Sequence, residues 1–389
     1  MGEVRRVAVI LDVALPSQRK MIRGIAAYAR REGGWQLYAE EELLDAIPDF
    51  GRWHGHGIIT GFTNRRVAAI VQGSGLPVVG IEGGYDWYDA RSGIPYVNTD
   101  NAAVARMAAD HLLGLGHRRL AFCGLPTSRH TVWSVARARA FRDHARAAGA
   151  QCDEYRGRHL TTRRWDALQQ GLCAWLARLE KPVGIMGAND ARARHVLEAC
   201  RTLGLRVPDD VAVLGVDNDE LMCDITTPPL SSVEQGVHAI GFQAAELLGR
   251  LMAGGKPPRL ATEVPPERVV VRQSSDAVAV GDADVAAALR FIRGRIRDRI
   301  GVADVLGEVA VSRSTLEARF RDVLGRTISE EIRRTMLDRA QALIAGGEHA
   351  LKQVAHEAGF THVQHMTNVF RRHLGRTPGE IRRAGRPGR

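Results

Sequence analysis

The sequence predicts a two-part protein: an α/β region built on parallel sheets, followed by an all-helical domain. Short apolar runs rich in β-branched residues alternate with amphipathic stretches through about residue 272. A polar segment then interrupts that pattern, and the remainder of the chain contains an internal repeat at helical periodicity. A chain of 389 residues is long enough for two or three domains.

The first region alternates predicted strands with predicted helices. Strands buried on both faces of a parallel sheet are continuously apolar, whereas helices repeat apolar residues three and four positions apart. No GxGxxG or GxxxxGK[ST] motif follows any strand, so a nucleotide-phosphate site lacks its motif. The predicted strands are 7–13, 57–59, 76–81, 119–124, 182–186, 211–216 and 268–272, and the predicted helices are 18–31, 102–115, 137–148, 165–179, 191–203 and 239–253.

Five short sequence fragments of this region occur in the same order as in a known protein family. They are VNTDN (97–101), DHL (110–112) with LGHRR (115–119), AND (188–190), GVDN (215–218) and PPLSSVEQ (228–235). Together they resemble the lactose-repressor and ribose-binding-protein family. The resemblance implies a periplasmic-binding-protein-like sensor over residues 1–272, with two doubly wound lobes. In such a fold the ligand lies between the lobes, at the carboxyl ends of the strands.

Polar side chains that follow predicted strands are the candidate ligand contacts. Carboxylates and an arginine suit sugar hydroxyls, which both donate and accept hydrogen bonds. Asx residues at such positions also cap helices or close turns, and a lone tryptophan is more often a core residue, so structural roles stay open. The candidates of this kind are Asp12, Asn189, Asp190, Asp217, Asn218 and Glu220. The family resemblance adds Arg137, whose position reaches into the cleft, and Gln235 at the end of the crossover fragment, while Trp133 is a candidate for stacking on a sugar ring.

Other classes of protein are less well supported. A GxSxG nucleophile elbow is missing from the sequence, and only the acidic cluster 217–220 favours a sugar-modifying enzyme. Five dispersed cysteines without CxxC spacing predict reduced thiols, and neither a metal nor a cofactor is expected. No run approaches the ~20 apolar residues of a membrane span, and the first apolar stretch is too short for a signal peptide. We therefore expect a cytoplasmic protein without membrane contact; a sugar-binding protein of a transport system is the alternative.

The last part of the chain repeats itself after a polar linker predicted at residues 273–283. FRDVLGRT (320–327) recurs as FRRHLGRT (370–377), an offset of 50 residues. Each copy predicts a helix, a tight turn and a second helix, with Ser312 as an N-cap in the first copy and Gly359 in the turn of the second. The four predicted helices are 302–309, 313–323, 351–358 and 362–374.

The charge of this region indicates a polyanionic partner. From Asp282 onward the chain has 20 Lys and Arg residues against 13 Asp and Glu, a net of +7 out of +10 for the whole chain. On charge alone, a solvated basic face explains the excess equally well. Polar residues on one face of each second helix can read base edges while flanking arginines hold phosphates. The candidates are Arg313, Ser314, Glu317, Arg321, His362, Gln364, Thr367, Asn368, Arg371 and Arg372.

The fragment from Gly359-Phe360 through FRRHLGRTP (370–378) to Ile381-Arg382 resembles the AraC family of DNA-binding domains. The resemblance covers roughly residues 284–383 and implies two helix-turn-helix units, in a domain of residues 284–389, on double-stranded DNA. Two departures concern base preference rather than fold: Gln364-His365-Met366 replaces Ser-Tyr-Phe, and Ile381 replaces Tyr.

A sensor of this type in front of an AraC-type domain is an unusual combination. It resembles the activators of D-xylose catabolism genes over nearly the whole chain, including ARARH (191–195). The resemblance implies D-xylose as ligand, a homodimer, and RNA polymerase as a partner in activation. The residues themselves support a small polyhydroxylated ligand. We expect the sugar to close the lobes and to favour a dimer with correctly spaced DNA-binding domains.

Overall fold

The structure is a computed structural model that describes residues 4–39, 53–61, 65–82, 93–128, 131–157, 164–258, 261–276, 282–345 and 349–384. The chain forms two compact units: residues 1–113 with 118–276, and residues 277–389 with 114–117. Of the predicted linker, Gln273–Ser275 form a short 3-10 helix of the N-terminal unit, and residues 277–281 lie outside the described residues.

The N-terminal unit contains two six-stranded sheets, one in each lobe. In chain order the strands are β1 (Arg5–Ile10), β2 (Trp35–Tyr38), β3 (Gly57–Gly61), β4 (Val78–Ile81), β5 (Tyr96–Thr99), β6 (Arg119–Cys123), β7 (Gln151–Tyr155), β8 (Val183–Gly187), β9 (Val211–Val216), β10 (Ser231–Glu234), β11 (Thr262–Val264) and β12 (Arg268–Val270). The first lobe has the order β11-β5-β4-β3-β1-β2, and the second has β12-β10-β9-β8-β6-β7.

The strands of both sheets run parallel, as the sequence predicts, with one exception. β12 pairs antiparallel with β10 at the edge of the second sheet. The chain passes between the lobes after β5, after β10 and between β11 and β12. The predicted fold class, two parallel-sheet lobes followed by an all-helical domain, is confirmed.

Eight helices among the described residues cover the two sheets. They are α1 (Pro16–Glu32), α2 (Arg65–Gln72), α3 (Asn101–Gly114), α4 (Val132–Ala147), α5 (Trp165–Arg178), α6 (Asp190–Thr202), α7 (Glu220–Asp224) and α8 (Val237–Met252). Helices α1 and α8 pack unusually closely in the first lobe. A Cβ at Gly24 would lie 2.1 Å from the His238 carbonyl oxygen, and one at Gly241 would lie 1.9 Å from that of Met21. Only glycine allows this backbone approach.

The C-terminal unit is entirely helical in its described residues. Its helices are α9 (Ala283–Arg295), α10 (Val302–Gly307), α11 (Arg313–Leu324), α12 (Ile328–Ala345), α13 (Leu351–Glu357), α14 (Val363–Leu374) and α15 (Pro378–Ala384). α12 connects two helix-turn-helix units, α10 with α11 and α13 with α14. No helix of the described residues is long and apolar enough to span a membrane.

The 50-residue repeat is a structural repeat. α11 and α14 begin and end at equivalent positions, and each ends at a glycine with positive φ, Gly325 at 68° and Gly375 at 66°. The next helix begins alike in both copies, since the Thr327 and Thr377 amides each donate to a glutamate three residues later at 2.7 Å. Each copy has its own core: Leu316 and Phe320 are fully buried in the first, and Met366 and Phe370 in the second.

Gly359, in the turn before α14, is predicted to be indispensable for the C-terminal unit. Its φ is 83°, and a Cβ would lie 2.1 Å from the Ile296 carbonyl oxygen. Gly359→Ala should therefore lower the free energy of unfolding by roughly 3 kcal/mol, from strain plus the clash. Gly375→Ala is the matched control, because it has the same backbone conformation with open space around the Cβ, and should cost about 1 kcal/mol. Urea denaturation followed by helical circular dichroism measures both; equal losses would contradict this account.

Candidate functional site

Arg137 of α4 is the centre of a polar cluster between the lobes. Its guanidinium donates to Asn101 Oδ1 from Nε at 3.1 Å and from Nη2 at 2.8 Å, and from Nη1 to the Ala188 carbonyl oxygen at 2.5 Å. The residue is 3% exposed. Burial lowers the pKa of Arg137 to about 10, and Asp217, Glu82 and Asp190 oppose that shift.

Asp190 begins α6 directly after β8 and is almost completely buried. Its Oδ1 accepts from Ser232 Oγ at 2.6 Å, and its Oδ2 accepts from the Asp219 amide at 2.8 Å. Burial, reinforced by the nearby Asp217 carboxylate, raises the pKa of Asp190 well above its ordinary range. The hydrogen bonds from Ser232 and Asp219 oppose this rise without cancelling it.

Asp217 and Asn218 follow β9, and both have a positive φ, a backbone conformation that residues other than glycine rarely adopt. Their φ angles are 110° and 48°, and holding non-glycine residues there costs on the order of 1–3 kcal/mol each. Gln235 Nε2 donates to Asp217 Oδ1, and burial raises the pKa of Asp217 despite the opposing charge of Arg137. The Asn218 amide donates to Ser232 Oγ at 3.0 Å. Strain of this kind is concentrated where function fixes the side chain.

Glu82, at the end of β4 in the first lobe, is a member of the cluster that the sequence analysis missed. It is close enough to Asp217 and Arg137 of the second lobe to interact electrostatically with both. Burial and the Asp217 charge raise the pKa of Glu82 to about 7, while Arg137 lowers it. Its φ is 56°, so three of the four non-glycine residues with positive φ in the described chain belong to this cluster. The signal was available, since Glu82 directly follows a predicted strand.

The cluster therefore contains three acceptor carboxylates and one guanidinium in a poorly solvated space. Burial raises the pKa of each of these three carboxyls, and the Asp217 charge adds to the rise at Glu82 and Asp190. Arg137 lowers the pKa of Glu82 and of Asp217 without cancelling the effect of burial. A neutral ligand with several hydroxyl groups can donate to all three carboxylates and accept from the guanidinium. The described residues contain no group of three potential metal ligands.

The remaining predicted ligand residues have mixed placements. Asn189 caps α6, with its Oδ1 accepting from the Arg192 amide at 2.9 Å, and Asp12 Oδ1 accepts from the Ala14 amide at 2.9 Å in the turn after β1. Trp133 is half-buried and lies under the Arg137 guanidinium, 4.9 Å from Cζ to the ring centroid. Glu220 is exposed in the first turn of α7. The structure thus brings together Arg137, Asp190, Asp217 and Gln235.

The second helix of each helix-turn-helix unit exposes most of the predicted DNA-contacting residues. On α11, Glu317 is half-buried. On α14, Thr367 is also half-buried, with its hydroxyl donating to the Val363 carbonyl oxygen at 2.9 Å. His362 is the N-cap of α14, its Nδ1 accepting from the His365 amide at 3.0 Å. The exposed residues are Arg313, Ser314, Arg321, His362, Gln364, Asn368, Arg371 and Arg372.

The two units differ in what their exposed faces offer. On α14, Gln364 Nε2 donates to Asn368 Oδ1 at 3.1 Å, which orients two amides side by side on the surface. Arg371 and Arg372 form no ion pair with any described residue, so both guanidiniums are available to phosphates. On α11, Arg313 and Arg321 are likewise exposed without an ion pair to any described residue, whereas the half-exposed Arg319 pairs with Asp284 of α9 at 2.7 Å. The α14 face therefore differs from the α11 face in carrying a pair of exposed, hydrogen-bonded amides beside its arginines.

Comparison with known protein families accounts for most of the chain. Residues 6–102 match the family described as XylR N-terminal domain, and residues 109–275 match the periplasmic binding protein-like domain. Residues 306–384 match the helix-turn-helix domain family. The Xylose operon regulatory protein of Escherichia coli (strain K12) is 32% identical over 378 residues, which cover 97% of this chain and 96% of that protein. The protein of the same name from Haemophilus influenzae is 32% identical over 378 residues, covering 97% and 98%.

Solved structures agree with these matches. The structure of the xylose-binding transcription activator xylR is 32% identical, covers 97% of this chain and 98% of that chain, and superposes with a TM-score of 0.64. A LacI transcriptional regulator from Rhodococcus species superposes with a TM-score of 0.55 at 20% identity, over 70% of this chain and 100% of that chain. The latter likeness concerns the fold alone.

Replacing Asp190 is predicted to change how stability depends on pH. Because the pKa of Asp190 is raised in the folded state, the neutral carboxyl favours folding. Its contribution is complete below the unfolded pKa of about 4 and is lost as the pH rises through the raised folded value. Asp190→Asn should therefore flatten the fall in unfolding free energy of the sugar-free protein between about pH 5 and 8, by on the order of 2 kcal/mol.

Urea denaturation at several pH values measures this slope. Asp210→Asn is the matched control: Arg206 lowers the pKa of that surface carboxyl, so it stays ionised across this interval and its removal leaves the slope unchanged. Parallel curves for the unaltered protein and Asp190→Asn would contradict the assignment.

Proposed function

The chain belongs to the family of the xylose operon regulatory proteins, and on that premise we propose that it activates pentose-catabolism genes in response to D-xylose. It is a transcriptional regulator with a sugar-sensing domain and a DNA-binding domain, not an enzyme. One observation carries the proposed ligand: Arg137 is 3% exposed, is hydrogen-bonded to Asn101 and Ala188, and interacts electrostatically with Asp217, Glu82 and Asp190. A polyhydroxylated molecule would supply hydrogen-bond donors to those carboxylates. We propose that the protein acts in the cytoplasm and that its target is promoter DNA.

The sugar is proposed to bind where the two lobes meet. Glu82 belongs to the first lobe, whereas Arg137, Asp190 and Asp217 belong to the second. A sugar that donates hydroxyls to both sides relieves the repulsion between Glu82 and Asp217 and favours the closed arrangement of the lobes. To move the population decisively, the sugar must prefer the closed state by several kcal/mol.

Closure is proposed to act on DNA through a homodimer whose DNA-binding domains become correctly spaced. In each domain, α11 and α14 would enter successive major-groove segments about 34 Å apart. The exposed amides of Gln364 and Asn368 would read base edges, while Arg371 and Arg372 would contact phosphates. Bound in this way, the dimer would recruit RNA polymerase to the promoter.

Arg137→Lys is predicted to weaken sugar binding, so that the response to sugar requires a higher concentration. An ammonium group cannot reproduce the three directed hydrogen bonds that Arg137 makes to Asn101 and Ala188. We expect D-xylose affinity to fall by at least about tenfold, while sugar-free DNA binding stays unchanged. Calorimetric titration gives the sugar affinity, and a mobility-shift titration at about 150 mM salt with promoter DNA gives the DNA affinity.

The control for this substitution is Arg139→Lys on the same helix. Arg139 is 79% exposed in its side chain and pairs with Asp143 at 3.7 Å on the surface, so its replacement should change neither affinity. The unaltered protein should bind promoter DNA more tightly with D-xylose than with D-ribose, L-arabinose or D-glucose. A DNA affinity that is the same with and without each of these sugars would contradict the proposal that D-xylose is the ligand.

Asn368 and Arg372 are predicted to play different parts in DNA binding. Asn368→Ala should weaken cognate binding by about 1–3 kcal/mol and relax sequence preference, because an amide on base edges carries specificity. Arg372→Ala should weaken cognate and random DNA alike and reduce the salt slope by about 1. Both side chains are exposed, so the fold should be retained. Salt-dependent titrations on both DNAs measure this, with surface Arg201→Ala as control; identical behaviour of the two variants would refute the division.

A further inference from the structure

Strand β10 contacts the pocket on one face and the end of the N-terminal unit on the other. Ser232 Oγ donates to Asp190 at 2.6 Å and accepts from the Asn218 amide at 3.0 Å. Its neighbour Ser231 Oγ bonds to the Arg272 backbone, donating to the carbonyl oxygen and accepting from the amide, both at 2.8 Å. Both serines are fully buried, so water does not compete for these bonds.

The Arg272 side chain makes a second connection to the pocket. Its Nη2 donates to Asn218 Oδ1 at 3.0 Å and its Nη1 to the Leu230 carbonyl oxygen at 2.9 Å. Asn218 is the residue with positive φ next to Asp217. Arg272 therefore joins a pocket residue to the residues that follow β12, although it is not itself part of the carboxylate cluster.

Residues 271–276, which we call the exit segment, end the N-terminal unit. Ser274 Oγ donates to the Val213 carbonyl oxygen at 2.7 Å and accepts from the Ser231 amide at 2.8 Å. Ser275 Oγ is hydrogen-bonded to His111 Nε2 of α3 at 3.0 Å. Both serines are fully buried. The exit segment is thus fastened to β9, β10 and α3 immediately before the chain continues toward the DNA-binding domain.

We propose that these bonds form a relay from the sugar pocket to the exit segment, running from Asp190 and Asn218 through Ser232, Arg272, Ser231 and Ser274. The relay rests on the proposed function and specifies its regulation. A sugar hydroxyl that donates to Asp190 or Asp217 alters the hydrogen bond from Ser232 to Asp190 and the hydrogen bond from the Asn218 amide to Ser232. A buried polar group that loses a hydrogen bond cannot replace it with a bond to water. The rearrangement of one hydrogen bond therefore forces the next bond of the relay to rearrange. Arg272 and Ser274 are then positioning residues that set the coupling between sugar and DNA while touching neither.

The coupling is measured on the full chain as the ratio of DNA dissociation constants without and with saturating D-xylose. Arg272→Gln removes the guanidinium bonds to Asn218 and Leu230 and keeps the backbone bonds to Ser231. Ser274→Ala removes the hydroxyl between Val213 and Ser231. Fluorescence anisotropy should show the ratio falling by about threefold or more in each variant. The calorimetric D-xylose affinity should stay within about twofold of the unaltered protein.

Two controls match the substitutions. Arg206→Gln removes a surface pair with Asp210 in the same lobe, and Ser74→Ala removes a hydroxyl that donates to the Val71 carbonyl oxygen in the first lobe. Both should keep the coupling ratio of the unaltered protein. Thermal melts establish that each variant is folded; if Ser274→Ala does not fold, Arg272→Gln decides.

Unchanged coupling in the folded variants, while the unaltered protein responds to D-xylose, would overturn the relay alone. A loss of coupling accompanied by an equal loss of D-xylose affinity would also overturn it, since these residues would then support the pocket only. If the unaltered protein shows no D-xylose response, the proposed function fails and the relay falls with it.

Discussion

Arg137 is 3% exposed, so its guanidinium must find acceptors within the protein, and we propose that the sugar response depends on this group. Asn101 and the Ala188 carbonyl oxygen satisfy its hydrogen bonds, while its charge is shared among carboxylates from both lobes. Burial raises the pKa of Glu82 and of Asp217 despite the opposing charge of Arg137. We propose that these carboxyls accept hydrogen bonds from the hydroxyl groups of the sugar.

In the DNA-binding unit, the residues that hold the fold are separate from those that are exposed to solvent. Each copy of the repeat fixes its second helix with its own buried phenylalanine and its own glycine cap, and leaves the opposite face to solvent. The helices therefore keep their position whichever polar residues they expose. This separation allows α14 to carry paired amides and free arginines while α11 differs from it, without any change in the scaffold.

The sequence predicted the periodic features well and the strained ones poorly. Continuous apolar strands and the 50-residue repeat are local patterns, and both are present in the structure. The predicted strands leave out β2, β5, β7, β10 and β11. β7 and β10 were missed because QCDEY and SSVE are largely polar; β10 is held in its sheet by buried hydrogen bonds of its serines together with the buried side chain of Val233. Arg137 and Asp217 were predicted as ligand contacts from the sequence, and that role stays a prediction; Glu82 was not predicted, and its φ of 56° has no counterpart in the local sequence pattern.

A crystal structure of the full chain with D-xylose tests the central claim most directly. The account predicts a single sugar between the lobes, with its hydroxyl oxygens within about 3.2 Å of the Arg137 guanidinium and of carboxylate oxygens from Glu82 and from Asp190 or Asp217. A sugar bound elsewhere, or held by one lobe without contact to Arg137, would contradict the account.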